Sequence, residues 1–199
     1  MIDQGLYTKE YFVNSTISNY SDYEYCAGIL NMYAGMLYEL FKPISVFDAG
    51  CAYGHAVRYF NDFYKITAKG CDISEWASSR CEYIYQSSID NIPEEDAAYQ
   101  LVTCTEVLEH IPEEKVRDVI KELVRISNKY VVILVAMFPE GTTEDPGDKT
   151  HITFHPKEWW LDVVSELGYF RDEAKENWLN GHGSSLSMSW SGRFIVIRK

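Results

Sequence analysis

The sequence predicts an α/β fold, a mostly parallel sheet with helices on both faces. Three observations carry that prediction. From Ile44 onward, short apolar runs alternate with stretches of helical period. The run Lys129 to Phe138, KYVVILVAMF, is continuously apolar and β-branched in its middle, as a strand buried on both faces requires. An apolar run ending in Asp48 passes straight into the small-residue turn AGCAYG, which opens a helix.

The elements follow in order. An aromatic-rich opening, YTKEYFVNSTISNYSDYEY, carries Tyr7, Tyr11, Phe12, Tyr20, Tyr23 and Tyr25 at irregular spacing. Residues 22–41 place Ile29, Leu30, Tyr33, Leu37, Leu40 and Phe41 at helical spacing, and Pro43 ends that helix. Residues 44–48 read as the first strand, 54–64 as a helix and 66–72 as the second strand. Ser74 can cap a short helix to about 79, and 82–86 and 100–105 are the third and fourth strands. Pro112, with Glu113 and Glu114, opens a helix whose apolar face is Val116, Val119, Ile120, Leu123 and Val124. Residues 129–138 form the fifth strand, and Pro156 opens a helix through Trp159, Trp160, Val163 and Val164 that Gly168 stops. Two strands plausibly close the chain, the last being RFIVIRK, after a glycine- and serine-rich loop over 176–192. We read residues 1–199 as one domain, with a lid and helix over 1–42 and a core over 43–199.

Composition narrows the function classes. The five cysteines are odd in number, scattered and without C-x-x-C, which fits reduced thiols rather than a disulfide framework or zinc knuckle. The longest apolar run, Tyr130 to Phe138, falls short of the roughly 20 residues that span a bilayer. MIDQGLYTKEYF lacks a basic and apolar leader, so a cytoplasmic location with no membrane partner is expected. A net charge of -12 without a basic cluster disfavours a nucleic-acid partner and favours a small-molecule one. Oligomeric state is left open.

The chemistry concentrates at three places. The turn Asp48–Gly54, with Gly50, Ala52 and Gly54, lets backbone approach a ligand and offers helix N–H groups to an anion, or it is simply a tight turn. In GCDIS, Asp72 ends the second strand about 20 residues further on, where a carboxylate can take both ribose hydroxyls, or serve the next helix as a cap. The third is QSSIDNIPEEDAAYQLVTCTEVLEHIPEE, running through the fourth strand.

Together these resemble, over roughly residues 35–170, class I S-adenosylmethionine-dependent methyltransferases, whose first motif is D-x-G-x-G-x-G. CTEVLEHIPEE resembles the ubiquinone-biosynthesis-type branch. The resemblance implies a Rossmann-like, seven-stranded, mostly parallel sheet with the last strand antiparallel, and S-adenosylmethionine as cofactor. Asp48, Gly50, Ala52 (where the family has glycine) and Gly54 would hold it, with Asp72 on the ribose and Ile73 on the adenine. Ser88 stands where the family has an acidic residue against the adenine, with the Ile89 backbone beside it. Thr105 and Glu106 would line the cleft and His110 its rim.

Methyl transfer to a hydroxyl benefits from a base, and histidine suits neutral pH. His151, in the segment after the fifth strand, is the preferred candidate and His110 the reserve; His155 sits where a helix cap belongs. Each can instead be an ordinary loop or turn histidine. O-methylation of a small acceptor is expected, without a metal. A metal-assisted RNA ribose methyltransferase using Glu106, Glu109, His110 and His151, and a non-catalytic cofactor-binding module, are the alternatives. The tyrosines of residues 1–20 are expected either to order over the cleft as a lid when cofactor binds or to pack the following helix on the sheet.

Overall fold

The sheet is built by alternation. A computed structural model describes residues 4–18, 20–183, 185–186 and 190–199. Strands β1 (Ser45–Ala49), β2 (Thr67–Asp72), β3 (Ile84–Gln86), β4 (Tyr99–Thr105), β5 (Ser127–Leu134), β6 (Phe170–Arg171) and β7 (Phe194–Arg198) form one seven-stranded sheet in the order β3-β2-β1-β4-β5-β7-β6. The first five pair in parallel, whereas β7 runs antiparallel to both β5 and β6. This is the mostly parallel sheet with an antiparallel last strand that was expected.

Side chains alternate along each central strand between two cores. Phe47, Val102, Val131, Ile133 and Ile195 pack against α5 (Glu113–Ile126) and α6 (Lys157–Glu166). Val46, Leu101, Val132, Leu134 and Val196 pack against α2 (Ala27–Phe41), α3 (His55–Asp62) and α7 (Glu173–Gly183). Helices thus cover both faces. Two short helices, α1 (Lys9–Phe12) and α4 (Glu75–Ser78), meet in a third apolar cluster made by Tyr11, Phe12, Ala52, Tyr53 and Ala77.

Local chemistry sets the boundaries. Asp22 accepts from the Glu24 N–H and starts a 3₁₀ turn over Tyr23–Cys26, so the expected 22–41 helix becomes regular α only from Ala27. The Ser74 side chain accepts from the Ala77 N–H, capping α4 as expected. Gly168, at φ 76°, stops the chain after α6.

Two expectations fail. β5 ends at Leu134, not Phe138, because the next backbone groups bond elsewhere: Arg193 Nε donates to the Val135 carbonyl and Ala136 N–H to Glu109 Oε1. The loop expected over 176–192 is largely α7 instead. Its glycines and asparagines hide it, each interior glycine costing about 1 kcal/mol in a helix. Tertiary contacts hold it: buried Glu176 pairs with Arg171 at 2.7 Å, Leu179 is fully buried, and Gly183 sits so close to the Phe194 ring that a Cβ would meet Cε2 at 2.8 Å. Residues 1–3 and 19 of the expected lid, and 184 and 187–189 of the expected loop, lie outside the described residues. Among the described residues, no helix is long and apolar enough to cross a membrane. The five cysteines are free thiols, four of them buried.

Candidate active site

The carboxyl ends of β1, β2 and β4 open into a cavity of about 370 Å³. Asp48, Gly50, Ala52, Asp72, Ile73, Ile89 and Thr105 line it, so most of the expected cofactor residues share one space. Gly54 and Ser88 do not line it. Gly54 serves instead as the left-handed residue (φ 69°) that launches α3. The Ser88 hydroxyl donates to Asp90 Oδ1 at 2.6 Å, leaving Ile89 as the part of that segment that faces the cavity.

The turn is held close to β2. Gly50 and Cys51 both donate to the Cys71 carbonyl, at 2.8 and 3.0 Å. Gly50 has φ 76°, and a Cβ there would meet Val107 Cγ2 at 2.5 Å, so only glycine fits. Gly70 on β2 is equally confined, since a Cβ would stand 2.8 Å from both the Asp48 carbonyl and Cys51 Sγ. Ala52 takes a left-handed φ of 47° without being glycine. Its methyl is buried in the cluster with Tyr11, Phe12 and Tyr53, so contact offsets backbone strain.

Two buried carboxyls face the cavity. Asp72 accepts the Ala52 and Ser74 N–H groups at 2.8 and 2.9 Å, which joins the turn to the end of β2. Burial raises it to about 6, and those two N–H groups pull the other way. Asp48 accepts the Thr103 hydroxyl at 2.6 Å. Burial raises it to about 7, opposed by Thr103 and reinforced by the charge of Asp72. The Thr105 hydroxyl reaches the buried Tyr33 hydroxyl at 3.2 Å, so α2 holds the end of β4.

Beyond β4 the chain turns through Glu106, whose φ of 53° is left-handed. Arg193, from the start of the last strand, grips both oxygens of Glu106 at 2.6 and 2.7 Å. Glu109 is fully buried; its Oε1 accepts the Ala136 N–H and its Oε2 has no hydrogen-bond partner among the described residues. Burial, then the neighbouring Glu106, push that carboxyl well above the usual carboxylate range.

The two histidine candidates are neighbours with different outlooks. His110 lines the cavity; His151 does not. Their rings lie 4.6 Å apart, with His151 Nδ1 on Asp145 Oδ2 at 2.8 Å. Burial, then the adjacent His151, lower His110 to about 4, so it is neutral at pH 7. His155 is elsewhere, stacked on Trp159 and bonded to Glu113 of α5. One donor atom each of Glu109, His110 and His151 fall within 4.8 Å of one another, while Glu106, the fourth residue of the metal alternative, is taken by Arg193.

Tyrosines close the front. Tyr7, Tyr11, Tyr20 and Tyr23 line the cavity, and the Ser74 hydroxyl donates to the Tyr7 carbonyl. Burial raises the Tyr7 and Tyr11 phenols above their usual range, so they stay uncharged donors.

A family model described as a methyltransferase domain matches residues 19–187. The chain belongs to this methyltransferase family. Its fold is that of class I S-adenosylmethionine-dependent enzymes. A SAM-dependent methyltransferase from Archaeoglobus fulgidus superposes with a TM-score of 0.61 at 18% identity, over 96% of this chain and 97% of that one. Magnesium protoporphyrin IX methyltransferase from Synechocystis PCC 6803, with bound SAM, gives 0.57 at 13% identity over 89% and 79%. A SAM-dependent methyltransferase from Thermotoga maritima, described as a possible histamine N-methyltransferase, gives 0.57 at 19% over 88% and 93%. No curated protein sequence matches the chain.

The places of several residues in this candidate site escaped the sequence. Tyr20, Tyr23 and Trp190 line the cavity, Arg193 clamps Glu106, and Asp148 and Thr150 bond to Tyr11 and His110. Tyr20 and Tyr23 carried a signal in the aromatic crowding of the N-terminal segment. The others reach the site only through the sheet order and the segment after β5.

Proposed function

We propose that this methyltransferase transfers a methyl group from S-adenosylmethionine to an oxygen of a small hydroxylated or carboxylated acceptor, with His110 receiving the proton where the acceptor is a hydroxyl; a carboxylate has none to give. The observation that carries the reading is one cavity lined by Asp48, Gly50, Asp72 and Thr105 together with His110. The residues suit the cofactor. Gly50 lets the turn pack directly on Val107, which lines the same cavity. An ionised Asp72 has about four lone-pair sites, so two remain for ribose hydroxyls beyond the two N–H groups it accepts. Ile73 offers apolar surface to the adenine and the Ile89 backbone can bond its edge, as the family resemblance implies; both residues line the cavity.

When bound, the cofactor supplies a methyl group already activated on a sulfonium. The chain has to position the acceptor, exclude water and take a proton. The tyrosine wall and Trp190 exclude water and suit a planar apolar body on the acceptor. His110 is neutral and beside the cavity, with a lone pair to offer, although the burial that lowers it to about 4 makes it a weak base; His151 stands behind it against Asp145. Ligand sites commonly run from about 300 to 1,000 Å³. At about 370 Å³ the cavity lies at the lower end of that range, which favours a small acceptor. The charge of -12 speaks against a nucleic-acid acceptor. We further infer a cytoplasmic protein whose residues 1–199 act as one unit.

The test has two parts. Calorimetry with Asp72→Ala should lose about 1.5–3 kcal/mol of S-adenosylmethionine affinity, the worth of charge-assisted hydrogen bonds. Unchanged affinity would overturn the site. With an acceptor in hand, His110→Ala should lose more turnover than His151→Ala. The partnerless Glu109 Oε2 favours one second reading, the metal-assisted transfer. Turnover abolished by chelator and restored by Mg²⁺ or Mn²⁺ would select it.

A further inference from the structure

In the segment after β5, one carboxylate reaches the N-terminal wall directly and His110 through Thr150. Asp148 is buried. Its Oδ1 accepts both the Thr150 N–H, at 2.9 Å, and the Thr150 hydroxyl. Its Oδ2 accepts the Tyr11 hydroxyl at 3.2 Å. The same Thr150 oxygen lies 2.9 Å from His110 Nδ1.

Proton counting fixes the rest. A carboxylate has no proton to give, and a hydroxyl has one. Since the Thr150 proton goes to Asp148, its oxygen can only accept from His110, which must carry its proton on Nδ1. A neutral imidazole has one N–H, so Nε2 keeps its lone pair. Of the other groups around the ring, the Thr150 backbone carbonyl can only accept and so also calls for a ring N–H, His151 is bonded to Asp145, and Tyr7 meets the ring edge-on with centroids 6.0 Å apart. A second pin joins the same segments, the Lys149 N–H donating to the Ile17 carbonyl at 2.7 Å.

We propose that Asp148 is a positioning residue with two outputs: through Thr150 it fixes His110 in the Nδ1–H tautomer, and through Tyr11 it latches the N-terminal segment over the cavity. This deepens the function above and rests on it only for what the Nε2 lone pair does. The tautomer and the latch are properties of the resting protein. Because they use different oxygens of Asp148, they separate by mutation.

The experiment is ¹⁵N NMR of the histidine rings in the full chain without acceptor, with His110→Gln assigning the signal among the five histidines. The parent is expected to show His110 protonated on Nδ1 and bare on Nε2. Thr150→Val should return the ring to the Nε2–H form that free histidine prefers, and Thr150→Ser should keep Nδ1–H. A parent ring protonated on Nε2, or an unchanged tautomer in Thr150→Val, overturns the relay whether or not the protein methylates anything. Tyr11→Phe should leave the tautomer alone and raise amide exchange in residues 5–18 about fivefold, the worth of one hydrogen bond. Exchange equal to the parent's overturns the latch.

Discussion

Gly50 and Gly141 separate two effects that a glycine can hide. Both have positive φ, 76° and 83°, but Gly141 has nothing within 4 Å of a Cβ whereas Gly50 has the Val107 side chain. Gly141→Ala should therefore cost only the left-handed backbone term, about 1–2 kcal/mol. Gly50→Ala should add about 1–3 kcal/mol of overpacking and weaken S-adenosylmethionine binding as well. Urea unfolding of both variants checks this, and equal losses would mean that Val107 yields freely. At this scale the sequence was readable where one short stretch supplies both backbone and side chain. Asp48, Gly50 and Asp72 lie within 25 residues and all reached the cavity. Ser88 does not line the cavity, and Asp90 takes its hydroxyl. Thr150 meets a residue 40 positions away and Arg193 one 87 away, and no local pattern announces such a partner.

Among the elements, the N-terminal segment forms one wall of the cavity. Its helix α1 is a single turn with no side-chain cap, too short to persist without its contacts. It is pinned by Ser74, Asp148 and Lys149 and by rings such as Tyr11 on Tyr7 at 5.0 Å. With the cofactor beneath it, amide exchange over residues 5–18 should slow relative to the free protein. Equal protection in both states would make the segment a fixed wall. The reason its role was only half legible is physical: the same tyrosines fill a core and line a cavity, and irregular spacing serves either purpose. β5 and α7 were misread for a related reason. β5 stops where backbone donors and acceptors turn to Glu109 and Arg193, and α7 exists through Arg171 and Phe194 rather than through an apolar stripe.

Over the whole molecule, the buried carboxyls make stability depend on pH. Asp48 and Asp72 sit near 7 and 6 in the folded chain, against about 3.9 unfolded. Between about pH 4 and 7 the folded state therefore holds protons that the unfolded state has lost, so stability falls as pH rises through that window and levels off above it. Asp48→Asn can still accept the Thr103 hydroxyl. It should be more stable than the parent by at least about 1 kcal/mol at pH 7.5, with the gap closing towards pH 4. Denaturant melts across that range check the slope, and parallel curves would show that Asp48 titrates normally.

The same desolvation settles the fate of sulfur near the reacting centre. Cys26 and Cys51 line the cavity that is proposed to hold an alkylating cofactor. Burial raises Cys26 to about 11 and Cys51 well above its usual range, with the charges of Asp48 and Asp72 adding to the rise at Cys51. A thiol attacks carbon only as its thiolate. The lining is thereby passivated: the two thiols of the proposed cofactor cavity are kept protonated, which would spare the protein from modifying itself.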